Sequence, residues 1–218
     1  MIKYLLAKTG LTLTGLLIVA AVTFIFLAVV PASSAFANQP GPTEQLRPTL
    51  ERLIAIVKDP ELAGEAKKAE RRELIMATVV TRFDFNEMSK RVLGPTWEEI
   101  NDEQRNGFIT QMTKLLENNY IGQLENYSGN SVEYVGERIR GDLAQVSTLI
   151  ENNGSDYPVH YIMSNENGTW MVYDINIEGV SLIRNYRAEF TSILRQRNFE
   201  GLMNTLIAKN KSFSEKNN

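Results

Sequence analysis

The chain has 218 residues, no cysteine, a single histidine, 23 basic and 26 acidic side chains, and a formal net charge of −3. Without cysteine there is no disulfide scaffold, no thiol nucleophile, no thiolate zinc site and no iron–sulfur cluster. One imidazole, His160, is too few for a histidine-rich metal centre. The charge balance leaves no footprint for nucleic-acid binding.

Charge is unevenly spread. Residues 1–37 carry Lys3 and Lys8 and no acid, residues 11–30 form an uncharged apolar run, and a small-residue stretch then ends in Ala35-Phe36-Ala37. A basic start, an apolar run and an Ala-x-Ala end read as a secretory signal, cleaved after Ala37. The alternative is an uncleaved membrane anchor, because the apolar run is long enough to span a bilayer; Thr12, Thr14, Gly15 and Thr23 weaken that reading. Either way the remainder lies outside the cytoplasm. Removing those 37 residues and their two lysines from the 218 leaves 181 residues with a net charge of −5, enough for one domain with its own core.

Residues 38–43 (NQPGPT) read as a flexible connector, followed by a single domain over 44–210 and a polar, frayed tail over 211–218. Leu46, Leu50, Leu53, Ile54 and Val57 recur at helical spacing, with the regular helix expected to start near Pro48 and stop at Asp59-Pro60. A second helix is expected over 62–82, with an apolar stripe of Ile75, Met76, Val79, Val80 and Phe83. Its charged part, 65–73, reads as a solvated face. Asp84-Phe-Asn-Glu87 reads as a capping box, Asp84 capping and Glu87 reaching back, which opens a short helix ending at Gly94-Pro95. Asn101-Asp-Glu-Gln104 is a similar signal for a long helix over 102–127, striped by Phe108, Met112, Leu115, Leu116, Tyr120, Leu124 and Tyr127 and broken by Ser128-Gly129-Asn130. The period then turns strand-like over 131–139, 142–151, 157–165 and 169–178, separated by Asn/Gly connections of the hairpin kind. Helix returns at Ser181, a candidate N-cap, and a last helix carries Phe199, Leu202, Met203, Leu206 and Ile207. The prediction is an α+β domain: a twisted antiparallel four-stranded meander enclosed by about six helices.

Enzyme chemistry finds little footing. No strand–Gly-x-Ser-x-Gly–helix elbow is present, and His160 lies mid-strand as a structural or surface residue would. Asp174 and Glu178 share a strand face but stand about 13 Å apart, wider than paired glycosidase carboxylates require. Asp174 as the general base of a small-molecule enzyme on a cone-shaped sheet-and-helix fold remains the alternative to a hydrogen-bonded structural Asp. No metal-spaced cluster occurs. Asn126-Tyr-Ser, Asn153-Gly-Ser and Asn167-Gly-Thr match the glycosylation sequon, a match common by chance. The sheet, by contrast, is unusually apolar on both faces. By strict alternation Trp170 and Val172 face one side and Met171, Tyr173, Ile175 and Ile177 the other; Val159, Tyr161 and Met163 share a side, as do Val146 and Ile150. One face either packs into an ordinary core or walls an apolar pocket, and periodicity does not separate the two. A ligand-free adaptor between envelope proteins is a third reading.

The run from Trp170 to Phe190, WMVYDINIEGVSLIRNYRAEF, closely resembles the W-x-V-Y-D-x-x-x-E-G-V-S-L-x-x-N-Y-R-x-x-F signature of MlaC-type phospholipid-binding proteins, the toluene-tolerance family. FDFNEMSKRVLG from Phe83, the Y-x-x-x-L-E-x-Y-S-G pattern from Tyr120, Ile193-Leu-Arg and Phe199-Glu-Gly-Leu202 extend the likeness in family order. The resemblance implies a non-enzymatic periplasmic carrier with no cofactor and a phospholipid as cargo. It implies an apolar pocket between sheet and helices. It also implies shuttling between an outer-membrane lipoprotein complex and an inner-membrane ABC transporter complex with an MCE-domain protein, which maintains outer-membrane lipid asymmetry. Tail contacts are expected from Leu115, Tyr120, Leu124, Val146, Tyr161, Met163, Val172, Ile175, Val180, Tyr186 and Phe190. Asp174, Glu178, Ser181, Asn185 and Arg187 are expected to shape the motif turn and the pocket rim.

Overall fold

A computed structural model describes residues 39–125, 132–152 and 154–216; the predicted leader 1–37, the break at Ser128-Gly129-Asn130 and the sequon residues Asn126 and Asn153 lie outside them. From Pro40 on the chain forms one compact unit. Its elements are α1 (Pro42–Lys58), two 3-10 turns (Pro60–Leu62 and Glu65–Lys67), α2 (Lys68–Val79), α3 (Phe85–Leu93), α4 (Thr96–Glu99), α5 (Asp102–Glu125), β1 (Val132–Arg140), β2 (Leu143–Asn152), β3 (Ser155–Glu166), β4 (Thr169–Ile177), β5 (Val180–Ser181) and α6 (Leu182–Lys216).

Helix α1 starts at Pro42, well before Pro48. Proline suits the first helical position, where its missing amide is no loss, and the Glu44 carboxylate accepts from the Gly41 amide at 2.9 Å. Pro48 lies inside the helix and only removes one rung of its ladder. Residues 42–43, read as connector, are thus helical, and the Thr43 amide donates to Glu137 Oε2 of β1 at 2.8 Å. The expected second helix is shorter than its stripe suggests: Gly64, at φ +83, breaks its first turns into the two 3-10 pieces. Its charged part is solvated only in part. Arg71 and Arg72 both pair with Glu125 at the end of α5, at 2.8 and 3.3 Å.

Asp84 caps α3, accepting from the Glu87 amide at 2.9 Å. Glu87 does not reach back, because the Asp84 amide already donates to Val172 O of β4; Glu87 pairs instead with Arg91 at 2.7 Å. Residues 82–84 thereby lie along β4 as a one-residue parallel bridge, which covers that stretch of strand edge. The Asn101–Gln104 box, by contrast, is reciprocal, with bonds of 3.0 and 2.9 Å.

The sheet is an antiparallel meander in the order β1-β2-β3-β4-β5, with one short strand more than the four predicted. β5 arises because Glu178 (φ +50) and Gly179 (φ +87) turn the chain back so that Val180 and Ser181 pair with Ile177 and Asn176. Strict alternation fails in β4. The β3–β4 register shifts between Ile162 and Met163, so that Ile162 faces Asp174 while Met163 faces Val172. The extra residue, Tyr173, is a bulge, which swaps the face of every later side chain. Val172 and Ile175, assigned to opposite faces by parity, are therefore both turned to the helices.

Ser181 caps α6 as expected: its Oγ accepts from the Arg184 amide at 3.1 Å. The helix is kinked at Asn198 (φ 55, ψ −171), where two helices were read. It then continues to Lys216, through the segment read as a frayed tail. Asn210, only 3% exposed, is the reason: it donates to Gln111 O and Oε1 and accepts from Asn118 Nδ2 of α5. A single hydrophobic cluster runs through α1–α6 and the inner sheet face.

Candidate functional site

The inner face of the sheet does not close completely on the helices. A cavity of about 450 Å³ lies between Val132, Ile150, Val159, Tyr161, Ile175 and Ile177 of the sheet, Leu50, Leu53 and Ile54 of α1, Ile75, Met76 and Val79 of α2, and Leu116, Tyr120, Ile121 and Leu124 of α5. Phe83, Phe85, Met88 and Leu182 complete its apolar wall. The volume falls in the range of small-molecule pockets, about 300–1,000 Å³. Tyr157, 36% exposed, and the exposed Glu178 also line it, so it reaches the surface beside the β4–β5 turn.

Phe83 meets the edge of Tyr161 with centroids 6.5 Å apart. Behind α5, Asn119 Nδ2 donates to the Tyr186 hydroxyl at 2.8 Å, and Tyr186 is bonded in turn to Tyr120. Burial holds the hydroxyls of Tyr120 and Tyr186 above the usual phenol range.

Of the eleven side chains expected to contact acyl tails, Tyr120, Leu124, Tyr161 and Ile175 line the cavity. Leu115, Val146, Met163, Val172, Tyr186 and Phe190 are buried in the core behind it. Phe190 packs against Phe108 and Tyr186, with centroids 6.1 and 5.6 Å away. Val180 is 57% exposed, because the β4–β5 turn carries it outward. Glu178 is at the rim. Asp174 and Ser181 form the motif turn: Asp174 accepts from Ser181 Oγ at 2.6 Å and from the Ile183 amide at 3.1 Å, a second cap on α6. Asn185 and Arg187 are exposed and away from the cavity lining. Arg187 lies in a separate shallow depression on α6 with Arg184 and Arg195, its guanidinium 2.9 Å from where a Cβ on Gly94 would sit. The φ of +58 there is a conformation that favours glycine. His160 is on the outer face, Nδ1 3.0 Å from Ser147 Oγ.

The α1 and α2 contributions were missed as site residues although both stripes were legible. Nothing in a stripe distinguishes a residue that meets another side chain from one that meets a cavity. Among the described residues no group of three or more His, Cys, Asp or Glu could hold a metal ion, and no helix is long and apolar enough to cross a membrane.

The family model described as MlaC protein matches residues 47–208. The intermembrane phospholipid transport system binding protein MlaC of Haemophilus influenzae is 23% identical over 193 residues, 86% of this chain and 88% of that protein. The toluene tolerance protein ttg2D of Pseudomonas putida is 28% identical over 105 residues, 44% and 48% of the two chains. A solved structure of a phospholipid-binding protein from Ralstonia solanacearum, in complex with a phospholipid, superposes with a TM-score of 0.74 at 25% identity. It covers 80% of this chain and 99% of its own.

Proposed function

The chain belongs to the MlaC family, and from that premise we propose that it is a periplasmic phospholipid carrier, a binding protein without catalytic chemistry of its own. It takes acyl chains into the cavity between β1–β4 and α1, α2 and α5. It moves lipid between an outer-membrane lipoprotein complex and an inner-membrane MCE-domain ABC transporter complex, in the service of outer-membrane lipid asymmetry. The observation that carries this reading is the cavity itself, whose wall is almost wholly aliphatic and aromatic and which opens beside the β4–β5 turn.

The energetics fit a carrier of this kind. Burial of an acyl chain is worth roughly 0.8 kcal/mol per CH₂, so each chain of about 14 methylenes loses on the order of 10 kcal/mol on passing into water. A protein that takes lipid from a bilayer must offer most of that in its own wall. It must also hand the lipid on while docked, so that the tails are never fully wetted. No nucleophile enters such a cycle. Asp174, the candidate base, lies outside the cavity lining, and both of its carboxylate oxygens are occupied in capping α6.

The test is organic extraction of protein purified without detergent, followed by mass spectrometry. Phospholipid near one molecule per chain is the expected result. Protein that carries none and takes none from vesicles overturns the proposal. Ile175→Asp places a carboxylate in the wall and is expected to lower lipid occupancy by more than it lowers the melting temperature. The reverse order would assign Ile175 to packing alone.

A further inference from the structure

The cavity's charge pattern bears on the lipid's other end. Two ionisable carboxylates, Glu117 of α5 and Glu178 of the β4–β5 turn, line it, and no lysine, arginine or histidine does. Among the described residues neither carboxylate is in an ion pair. Residues 126–131, between α5 and β1 in the sequence, include no charged residue. The remaining polar groups in the wall are the hydroxyls of Tyr120, Tyr157 and Tyr161. The arginines of α6 line a different depression. A lining that, among the described residues, holds carboxylates and lacks cations is a poor counterpart for a bare phosphate, and charged groups left without a partner near apolar surface are unfavourable.

Resting on the carrier reading above, we propose that the cavity selects phospholipids whose headgroup carries an ammonium beside the phosphate over net-anionic ones. In the selected lipid the headgroup amine is drawn to the carboxylates of the lining, while the Tyr157 hydroxyl at the opening donates to a phosphate oxygen. A glycerol headgroup leaves a net negative charge against the same two carboxylates. Because Glu178 is exposed and Glu117 only half-buried, solvent screens the effect, and the preference has the scale of an interaction between largely exposed charges, about fivefold at low salt.

The experiment incubates the protein with excess vesicles that contain phosphatidylethanolamine and phosphatidylglycerol in equal amounts with identical acyl chains. The protein is re-isolated and its bound lipid quantified by mass spectrometry. Both lipids are met in the same vesicle, so docking is common to the two. The expected result is roughly fivefold enrichment of the ethanolamine lipid at low salt, reduced at high salt and reduced to less than twofold in Glu117→Gln/Glu178→Gln. Glu178→Gln alone, which keeps the length of an exposed side chain, is expected to move the ratio in the same direction. Equal capture, enrichment of the glycerol lipid, or a preference that survives the double substitution overturns this inference and leaves the carrier reading intact. Capture of neither lipid overturns the carrier reading, and this inference with it.

Discussion

Gln45 uses its whole amide: Nε2 donates to Pro40 O and Gly168 O, and Oε1 accepts from Arg82 Nη1 and the Trp170 amide. One side chain thus ties the start of α1 to the β3–β4 turn and to β4. Tyr134 is its opposite, a buried hydroxyl with no partner among the described residues on a ring that stacks under Arg47 at 3.9 Å. Burial pushes Tyr134 up to about 12, against the opposing charge of Arg47. An unfolded tyrosine ionises near 10, so as pH rises the unfolded chain gives up this proton first. The stability tied to Tyr134 is whole below pH 10 and is lost progressively towards pH 12. Tyr134→Phe is therefore expected to be at least as stable as the parent at pH 7, since it removes an unsatisfied buried group. Its advantage should widen between pH 10 and 12, as read by urea unfolding at each pH. An advantage that stays constant with pH would refute the assignment. Neither residue's role was legible in the sequence, because the partners of Gln45 and the neighbours that bury Tyr134 are long-range.

Elements were legible where their signals are local. The capping residues Asp84, Asn101 and Ser181 all cap as predicted, because a cap is a contact over three residues. Long-range contacts overrode local signals elsewhere. Glu87 failed to close its box once β4 had taken the Asp84 amide, and Asn210 held the C-terminal turns of α6 in place. A shared carboxylate ties α2 to α5. Glu125, with a side chain only 9% exposed, receives both Arg71 and Arg72, and Arg71 also donates to Leu62 O at 2.6 Å. Glu125→Ala leaves two partly buried guanidinium groups without their carboxylate and is expected to cost on the order of 3 kcal/mol. Glu70→Ala, which breaks the exposed Lys67–Glu70 pair, is expected to cost less than about 1 kcal/mol. Chemical denaturation of the two variants checks the contrast, and equal losses would place the Glu125 pairs among ordinary surface contacts.

At the scale of the whole molecule, a cavity of about 450 Å³ inside the main hydrophobic cluster couples cargo to stability. A ligand that binds only the folded chain stabilises it by about 2.7 kcal/mol at a hundredfold excess over its dissociation constant. For a domain of this size that corresponds to a rise in melting temperature of roughly 5–10 °C. Protein stripped of lipid is therefore expected to melt lower by that amount and to recover on incubation with phospholipid vesicles, as followed by calorimetry. An unchanged melting temperature would mean that cargo sits outside the folded core.

The sequence by itself determined the α+β class, the order of helices and strands, most caps and turns, and the family, because each of these is written in local periodicity or contiguous motif. Tertiary structure alone decided which face of the sheet meets the cavity. A single extra residue at Tyr173 reverses the facing of Ile175 and Ile177, and no pattern of period two announces it. It also decided which apolar residues are wall and which are core. Leu115 and Leu116 are adjacent in one stripe, yet the first is packed and the second lines the cavity. Hydrophobicity in a sequence records that water is excluded; only the packing of distant elements determines whether protein or cargo excludes it.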